Sequence, residues 1–304
     1  MKCLTMRYLT ELIFINNELP HIMKGYFNMN TPNFSVLLSI YKNEKPDFVT
    51  DSFKSILNQS LIPNEVILVE DGPLTNELYE VIDSFKKEYP TIFKIVTLKK
   101  NVGLGLALNR GLEECSNELV ARMDTDDIAK HTRFEKQVNA FIKKPKLSIV
   151  GSNVDEFTED TNEVISQRVV PETHEDLVHF AKRRNPFNHP SVMYKKSDVL
   201  SVGGYQDYRR SQDYDLFVRM LNNGYQGYNI QESLLYFRAD HDNLGRRKSW
   251  VKTKNDILLR YKFFKEGYSS FGDLFITTIG FVLVFITPDS FFEFINRKYL
   301  RKSN

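Results

Sequence analysis

The chain is poor in cysteine, in tryptophan, in long apolar runs and in net charge. Its 304 residues include only two cysteines, Cys3 and Cys115, and one tryptophan. No CxxC pair and no Cys/His metal-ligand spacing is present, no disulfide framework is suggested, and a reducing compartment fits best. The net charge of +2 gives no reason to expect a nucleic-acid partner. No stretch reaches the roughly 20 apolar residues that span a bilayer. Lys2 and Arg7 lie near the start, but Glu11, Asn16, Asn17 and Glu18 interrupt any apolar core behind them, so no cleaved signal peptide is expected. Residues 1–32 read as an N-terminal extension, of which 1–28 are expected to be dispensable.

What remains is an ordinary globular balance, 41% hydrophobic and 26% charged, sufficient for one large domain with an appendage. Phe34 to Ile40 (FSVLLSI) reads as a buried parallel strand. A helical spacing follows over Pro46 to Ser60, then a strand at Glu65 to Val69 that stops at Glu70-Asp71-Gly72-Pro73. Helix, strand, helix and strand continue over Leu74–Tyr89, Phe93–Leu98, Gly103–Cys115 and Leu119–Met123. This alternation predicts an α/β fold with a Rossmann-like, mostly parallel sheet flanked by helices. Such sheets bind ligands at the carboxyl ends of their strands. Three polar clusters fall there: Ser39 to Glu44, Glu70-Asp71, and Asp124 to Asp127. Beyond them a helix is predicted over Thr132–Lys144, a strand over Leu147–Phe157 and a helix over Ser211–Asn222. The organisation predicted is a catalytic domain over 33–245, with a nucleotide-binding half (33–127) and an acceptor half (128–245), and a C-terminal helical region over 246–304.

Asp124-Thr125-Asp126-Asp127 carries the clearest chemistry. Carboxylates two residues apart at a strand end turn toward one hard cation, and Mg²⁺ or Mn²⁺ prefers carboxylates and phosphate oxygens. Such an ion neutralises charge on a departing diphosphate. The competing reading is an acidic turn that caps the next helix. Asp71 either hydrogen-bonds a nucleotide or is an ordinary turn aspartate before Gly72-Pro73. Gly103-Leu104-Gly105 follows the third strand and lacks a third glycine, because position 108 is Leu; a nicotinamide site is set aside. In Ser211-Gln212-Asp213-Tyr214-Asp215, one carboxylate is either a helix cap or a general base for an acceptor hydroxyl.

Taken in order, these residues resemble glycosyltransferase family 2, of the GT-A fold. The resemblance runs from about Asn33 to Asp240. It includes Ser39, Tyr41 and Glu44, then Val69-Glu70-Asp71-Gly72, Asn101-Val102-Gly103, Asn109-Arg110-Gly111 and Asp124-Thr125-Asp126-Asp127. It ends with Gly203-Gly204-Tyr205, Gln212-Asp213-Tyr214-Asp215 and Tyr236-Phe237-Arg238. The resemblance implies an inverting transfer from a nucleotide-sugar donor, UDP-hexose being the commonest, to a saccharide acceptor, lipid-linked acceptors included. Ser39, Tyr41, Glu44 and Asp71 would line the nucleotide pocket. Asp124 and Asp126 would flank diphosphate and metal, with Asp127 as a third candidate, and Asp213 would be the base. Two positions depart from the usual pattern: Gln212 stands where an acid is usual before the base, and Glu70-Asp71 replaces Asp-Asp. Asn188-His189-Pro190-Ser191 resembles the branch that builds bacterial surface polysaccharides such as capsule, which gives His189 a contact with acceptor or diphosphate; a structural histidine is the alternative. His241 is a candidate metal ligand, and Arg246 and Arg247 are candidate diphosphate contacts, on a loop that closes over the donor.

Leu274 to Thr287 (LFITTIGFVLVFIT) is an apolar run ended by Pro288 and followed by Arg297, Lys298, Arg301 and Lys302. It predicts either a buried helix or peripheral membrane contact through 250–304, held by apolar burial and attraction to anionic lipid at the inner face of the cytoplasmic membrane. Two other functions fit parts of the pattern. A metal-dependent nucleotidyltransferase would carry a Gly-rich, basic loop after the first strand, where this chain has Ser39-Ile40-Tyr41-Lys42-Asn43-Glu44. A non-catalytic sugar- or nucleotide-binding module would not need the carboxylate set.

Overall fold

The structure is a computed structural model that describes residues 31–208, 210–239 and 250–286. The first four strands are β1 (Phe34–Ile40), β2 (Glu65–Glu70), β3 (Phe93–Thr97) and β4 (Leu119–Arg122), joined by helices α1 (Pro46–Leu57), α2 (Asn76–Glu88) and α3 (Leu104–Glu114). β1 pairs in parallel with both β2 and β4, and β2 with β3. Their carboxyl ends therefore share one edge, as the alternation predicts.

Beyond β4 the chain changes direction more often. β5 (Ile128–Ala129), α4 (Arg133–Lys143), β6 (Leu147–Phe157), β7 (Ser166–Arg168) and α5 (His174–Ala181) come first. They precede β8 (Met193–Lys195), α6 (Lys196–Ser201), α7 (Gln212–Asn222) and β9 (Gln226–Arg238). One sheet results, in the order β3-β2-β1-β4-β8-β6-β9-β5, with β7 paired to β6. The short β8 is antiparallel to both β4 and β6 and joins the two halves. β6 and β9 then run parallel over a long ladder.

Successive side chains of a strand point to opposite faces, and β1 shows the consequence. Val36, Leu38 and Ile40 pack with Phe53 of α1, Ile82 of α2 and Phe134 of α4. Leu37 faces the other layer, with Leu108 of α3, Leu177 of α5 and Phe217 of α7. The sheet is thus covered on both faces, which is why its central strands read as unbroken apolar runs. Gly111 lets α3 lie close to the sheet, because a Cβ there would stand 2.6 Å from Val69 Cγ2 and against Leu37 Cδ1.

Two helices close the described chain, α8 (Trp250–Lys265) and α9 (Phe271–Ile286). α8 docks on α7: the Tyr214 and Phe263 rings lie 5.1 Å apart, and Lys262 Nζ reaches Asp215 Oδ1 at 2.7 Å. α9 is held at its start, where Asp273 accepts from Arg183 Nε and from Ser270 Oγ. Burial would raise the Asp273 carboxyl, but the Ser270 and Arg183 hydrogen bonds outweigh it and hold it at about 2. The outward side of α9 is open: Phe271, Phe275, Ile276 and Leu283 are each more than half exposed. Among the described residues the run is therefore only partly buried within the chain. No helix among the described residues is long and apolar enough to cross a membrane. The expected extension over 1–28, and the basic residues after Pro288, lie outside the described residues.

Candidate active site

β4 ends on Arg122, and the chain turns immediately through Met123 into the acidic loop. Oxygens of Asp124, Asp126 and Asp127 all lie within 4.8 Å of one another. Three features hold them in place. Arg122, only 1% exposed beneath the loop, donates from Nη1 to Asp124 Oδ2 at 2.8 Å and from Nη2 to Asp124 Oδ1. The backbone N–H of Arg238, at the end of β9, donates to Asp127 Oδ1 at 2.9 Å. Arg238 Nε donates to the carbonyl of Asp126 at 2.9 Å while its guanidinium stacks 3.8 Å over Phe48. Arg238 therefore ties the far end of the sheet to the acidic loop.

The cluster is electrostatically unsatisfied. Burial first, then Asp124, pushes Asp126 up to about 6. Burial and the two neighbouring carboxylates push Asp127 well above its ordinary value. Glu44, across the loop from β1, rises to about 8 through burial and then Asp126 and Asp124. Asp127 Oδ2 is buried without a hydrogen-bond partner among the described residues. A buried carboxylate oxygen with no donor, set among like charges, fits a cation-binding role better than it fits a helix cap. The oxygen-only donor set suits Mg²⁺ or Mn²⁺.

Asp71 closes β2, but its carboxylate is committed locally. Oδ1 accepts from Val102 N–H at 2.7 Å and Oδ2 from Gly103 N–H at 3.0 Å. Gly103 caps α3 and has no side chain to offer, so Asp71 supplies from a neighbouring strand the anion that the helix N-terminus lacks. Each oxygen keeps a second lone pair for a ligand. Ser39 is half-buried at the end of β1, and Tyr41 is exposed beside it. His241, Arg246 and Arg247 lie outside the described residues.

Asp213 and His189 are brought to the acidic loop. A cavity of about 310 Å³ is lined by Asp124, His189 and Asp213 together, with Asn185, Arg168 and Phe237. Asp213, in the first turn of α7, accepts from Asn185 Nδ2 at 2.6 Å. Burial raises its carboxyl, partly opposed by backbone N–H donors, the Arg122 charge and Asn185. Asp215, two residues on, is fully buried between Arg219 and Lys262 at 2.8 and 2.7 Å. It is therefore committed to structure, and of the two carboxylates only Asp213 faces the cavity. Ser211, just before α7, has φ 62, the left-handed region, where a non-glycine residue is strained.

His189 is buried in the turn before β8 and sits 2.9 Å from the Tyr205 hydroxyl through Nε2. Burial, and then Arg122, hold its ring well below the usual histidine value, so it is neutral. Tyr205 is itself fixed by Asn109, which donates to its carbonyl at 2.7 Å and accepts from its N–H at 2.8 Å. Gly204 has φ +62, and a Cβ there would lie 2.6 Å from Asn109 Oδ1. The Asn109 and Gly203-Gly204-Tyr205 motifs are thus two halves of one contact.

Neither Arg122 nor Asn185 belongs to a motif that the sequence pattern marks. Arg122 had a signal: a lone charge inside the strand run Leu119–Met123 must find a buried partner. Asn185 had none, because it meets Asp213 only through the tertiary fold.

Comparison with known proteins agrees with this geometry. Residues 35–208 match the family model described as "Glycosyl transferase family 2". The chain is 37% identical over 273 residues to an Escherichia coli protein, UDP-Gal:alpha-D-GlcNAc-diphosphoundecaprenol beta-1,3-galactosyltransferase, covering 90% of this chain and 98% of the relative. It is 38% identical over 226 residues to the amylovoran biosynthesis glycosyltransferase AmsE of Erwinia amylovora, covering 74% and 84%. Among solved structures, S. aureus TarS 1-349 with UDP-GlcNAc superposes with a TM-score of 0.59 at 17% identity, over 75% of this chain and 64% of that one. A mannosyltransferase from Pyrobaculum calidifontis, with GDP-Man and Mn²⁺, gives 0.61 at 13%, over 93% and 77%. These folds, the family match and the near-full-length relatives agree: the chain belongs to glycosyl transferase family 2 and is a glycosyltransferase of the GT-A fold.

Proposed function

We propose that the protein transfers a hexose from UDP-hexose, with inversion, to a hydroxyl of a lipid-linked saccharide during bacterial surface-polysaccharide synthesis. The observation that carries this reading is that one cavity is lined both by Asp124 of the acidic loop and by Asp213. The donor's nucleotide would lie along the ends of β1 and β2, near Ser39, Tyr41, Glu44 and Asp71. Its diphosphate would reach Asp124, Asp126 and Asp127, and the hexose would extend into the cavity.

Asp213 then acts as the base. The acceptor hydroxyl passes its proton to Asp213 as its oxygen attacks the anomeric carbon. The bond from that carbon to the diphosphate oxygen breaks on the opposite face, and the nucleoside diphosphate leaves. Burial raises the basicity of Asp213, while Asn185 fixes its orientation; a proton acceptor works best with an affinity closer to the working pH. Asp124, Asp126 and Asp127 would hold a divalent cation, which would supply positive charge to the departing diphosphate. Neutral His189, linked to Tyr205, offers a hydrogen bond without adding charge. In the near-full-length Escherichia coli relative, the name specifies UDP-Gal and a diphosphoundecaprenol-linked GlcNAc, which favours UDP and a lipid-linked acceptor here.

The open apolar side of α9 fits the same setting. Phe271, Phe275, Ile276 and Leu283 would bury in the inner leaflet of the cytoplasmic membrane. Because α8 docks on α7, that contact would place the base near lipid-linked acceptors. A screen of sugar nucleotides for Mn²⁺-dependent binding tests the donor reading: UDP-hexoses should bind and chelation should remove the binding. Equal binding after exhaustive chelation would overturn the metal assignment.

A further inference from the structure

We propose that Arg168 is the acceptor-recognition residue and that it takes a phosphate group of the acceptor at the wall of the Asp213 cavity; this rests on the transfer reading above. Arg168 ends β7, the short strand that folds back on β6 opposite Val154. Of the described residues that line the cavity, Arg168 carries the only full positive charge, because His189 is neutral. Two carboxylates, Asp124 and Asp213, share that cavity, so an anionic ligand would find its counter-charge at Arg168 alone.

The side chain is built to present one edge. Its Nε–Nη2 edge is committed behind it, with both nitrogens 2.6 Å from Glu156 Oε1. Its flat face stacks 4.0 Å over Phe237. The Glu156 carboxylate is fully buried and also accepts from Ser166 Oγ. Among the described residues Nη1 makes no hydrogen bond, which leaves Nη1 and the second N–H of Nη2 for a ligand, and the side chain keeps 35% of its exposure. Burying Glu156 to hold one arginine is costly on its own account. That cost is understandable where a fixed guanidinium fork must meet a second oxyanion, and the fork matches phosphate oxygens in pairs.

Sheet order decides which substrate this is. β1 and β2, at whose ends the nucleotide would lie, are on one side of β4; β6 and β7 are on the other. Arg168 shares its cavity with the base and with Asp124 of the acidic loop, but with none of the nucleotide-side residues Ser39, Tyr41, Glu44 or Asp71. The ligand class is a sugar joined to its carrier through phosphate or diphosphate.

The test is calorimetric binding with saturating UDP and Mn²⁺, using two probes: N-acetylglucosaminyl diphosphate on a short alkyl chain, and the same sugar as a simple alkyl glycoside. Arg168→Gln should weaken the diphosphate probe about 10–100-fold, the size of one charge-assisted bidentate contact. It should leave the phosphate-free probe and the Kd of UDP within twofold. Glu156→Gln/Arg168→Gln, which removes both charges and leaves no lone buried carboxylate, should show the same selective loss with a wild-type melting curve. A diphosphate probe bound equally by wild type and both variants overturns the inference, as does a loss shared by both probes or by UDP. Since binding is read without transfer, a wild type that binds the probe but moves no sugar counts against the transfer reading and not against Arg168.

Discussion

Replacing Arg122 with Met tests whether the acidic loop is held by a buried counter-charge. Arg122 is 1% exposed and bonds both oxygens of Asp124, whose side chain is 31% exposed. Breaking a buried ion pair costs about 3–5 kcal/mol, because the partner is left uncompensated. Water reaching the Asp124 side recovers some of this. A second estimate comes from the repulsion the arginine offsets. Two ionised carboxylate oxygens within 4.8 Å repel by about 3.5 kcal/mol at an effective dielectric near 20. Arg133 does not substitute, since it bonds the Arg122 carbonyl at 2.6 Å and not the acids. Both routes give a loss of about 3 kcal/mol for Arg122→Met in chelator-treated protein at pH 7. Urea unfolding measures it, and millimolar Mn²⁺ should restore part of the loss by supplying the missing charge. A loss below about 1 kcal/mol, with no Mn²⁺ response, would refute the reasoning.

The metal-free protein should lose stability with rising pH. Asp126 moves from 3.8 to about 6 and Glu44 from 4.5 to about 8 in the folded state. Both folded values lie above the unfolded ones, so this contribution is full below about pH 4 and is lost as pH rises through about 6 and then 8. Urea unfolding between pH 6.5 and 8.5, above the range where uncharged buried His189 opposes the trend, should show a fall on the order of 2 kcal/mol, about 1.5 pH units of the Glu44 shift, that Mn²⁺ removes; a rise with pH over this window in metal-free protein would contradict it. Gly111→Val should cost about 1–3 kcal/mol by overpacking α3 against Leu37 and Val69, read as a lower melting temperature; an unchanged melt would show that α3 has room to shift. Phe275→Ser combined with Leu283→Ser should reduce sedimentation with anionic vesicles at least tenfold while activity on a water-soluble acceptor persists. Unchanged sedimentation would remove α9 from the membrane contact.

Much of this architecture is legible in the sequence because βαβ spacing and apolar runs are local signals. β1 to β4 and their helices appear within a few residues of the expected limits, and with them the edge that carries Glu44 and the three aspartates. The second half was harder to read. β8 is three residues long and antiparallel, too short for a periodic signal, yet it joins the two halves of the sheet. Among candidate site residues, the clustering of Asp124 and Asp126 is legible from their place after an apolar strand. The committed bonds of Asp71 to the α3 N-terminus are not, because they depend on which helix abuts β2. The division between Asp213 and Asp215 is also tertiary: Lys262, 47 residues away, is what makes Asp215 structural.

Asp213 is proposed to take the acceptor's proton beside a donor held at the acidic loop. The direct measurement is acceptor-dependent UDP release by Asp213→Asn compared with wild type, with UDP-hexose affinity measured in parallel in Mn²⁺. Release should fall by about 10²–10⁴-fold while donor affinity stays within a factor of about three. Near-wild-type release at unchanged donor affinity would contradict the account.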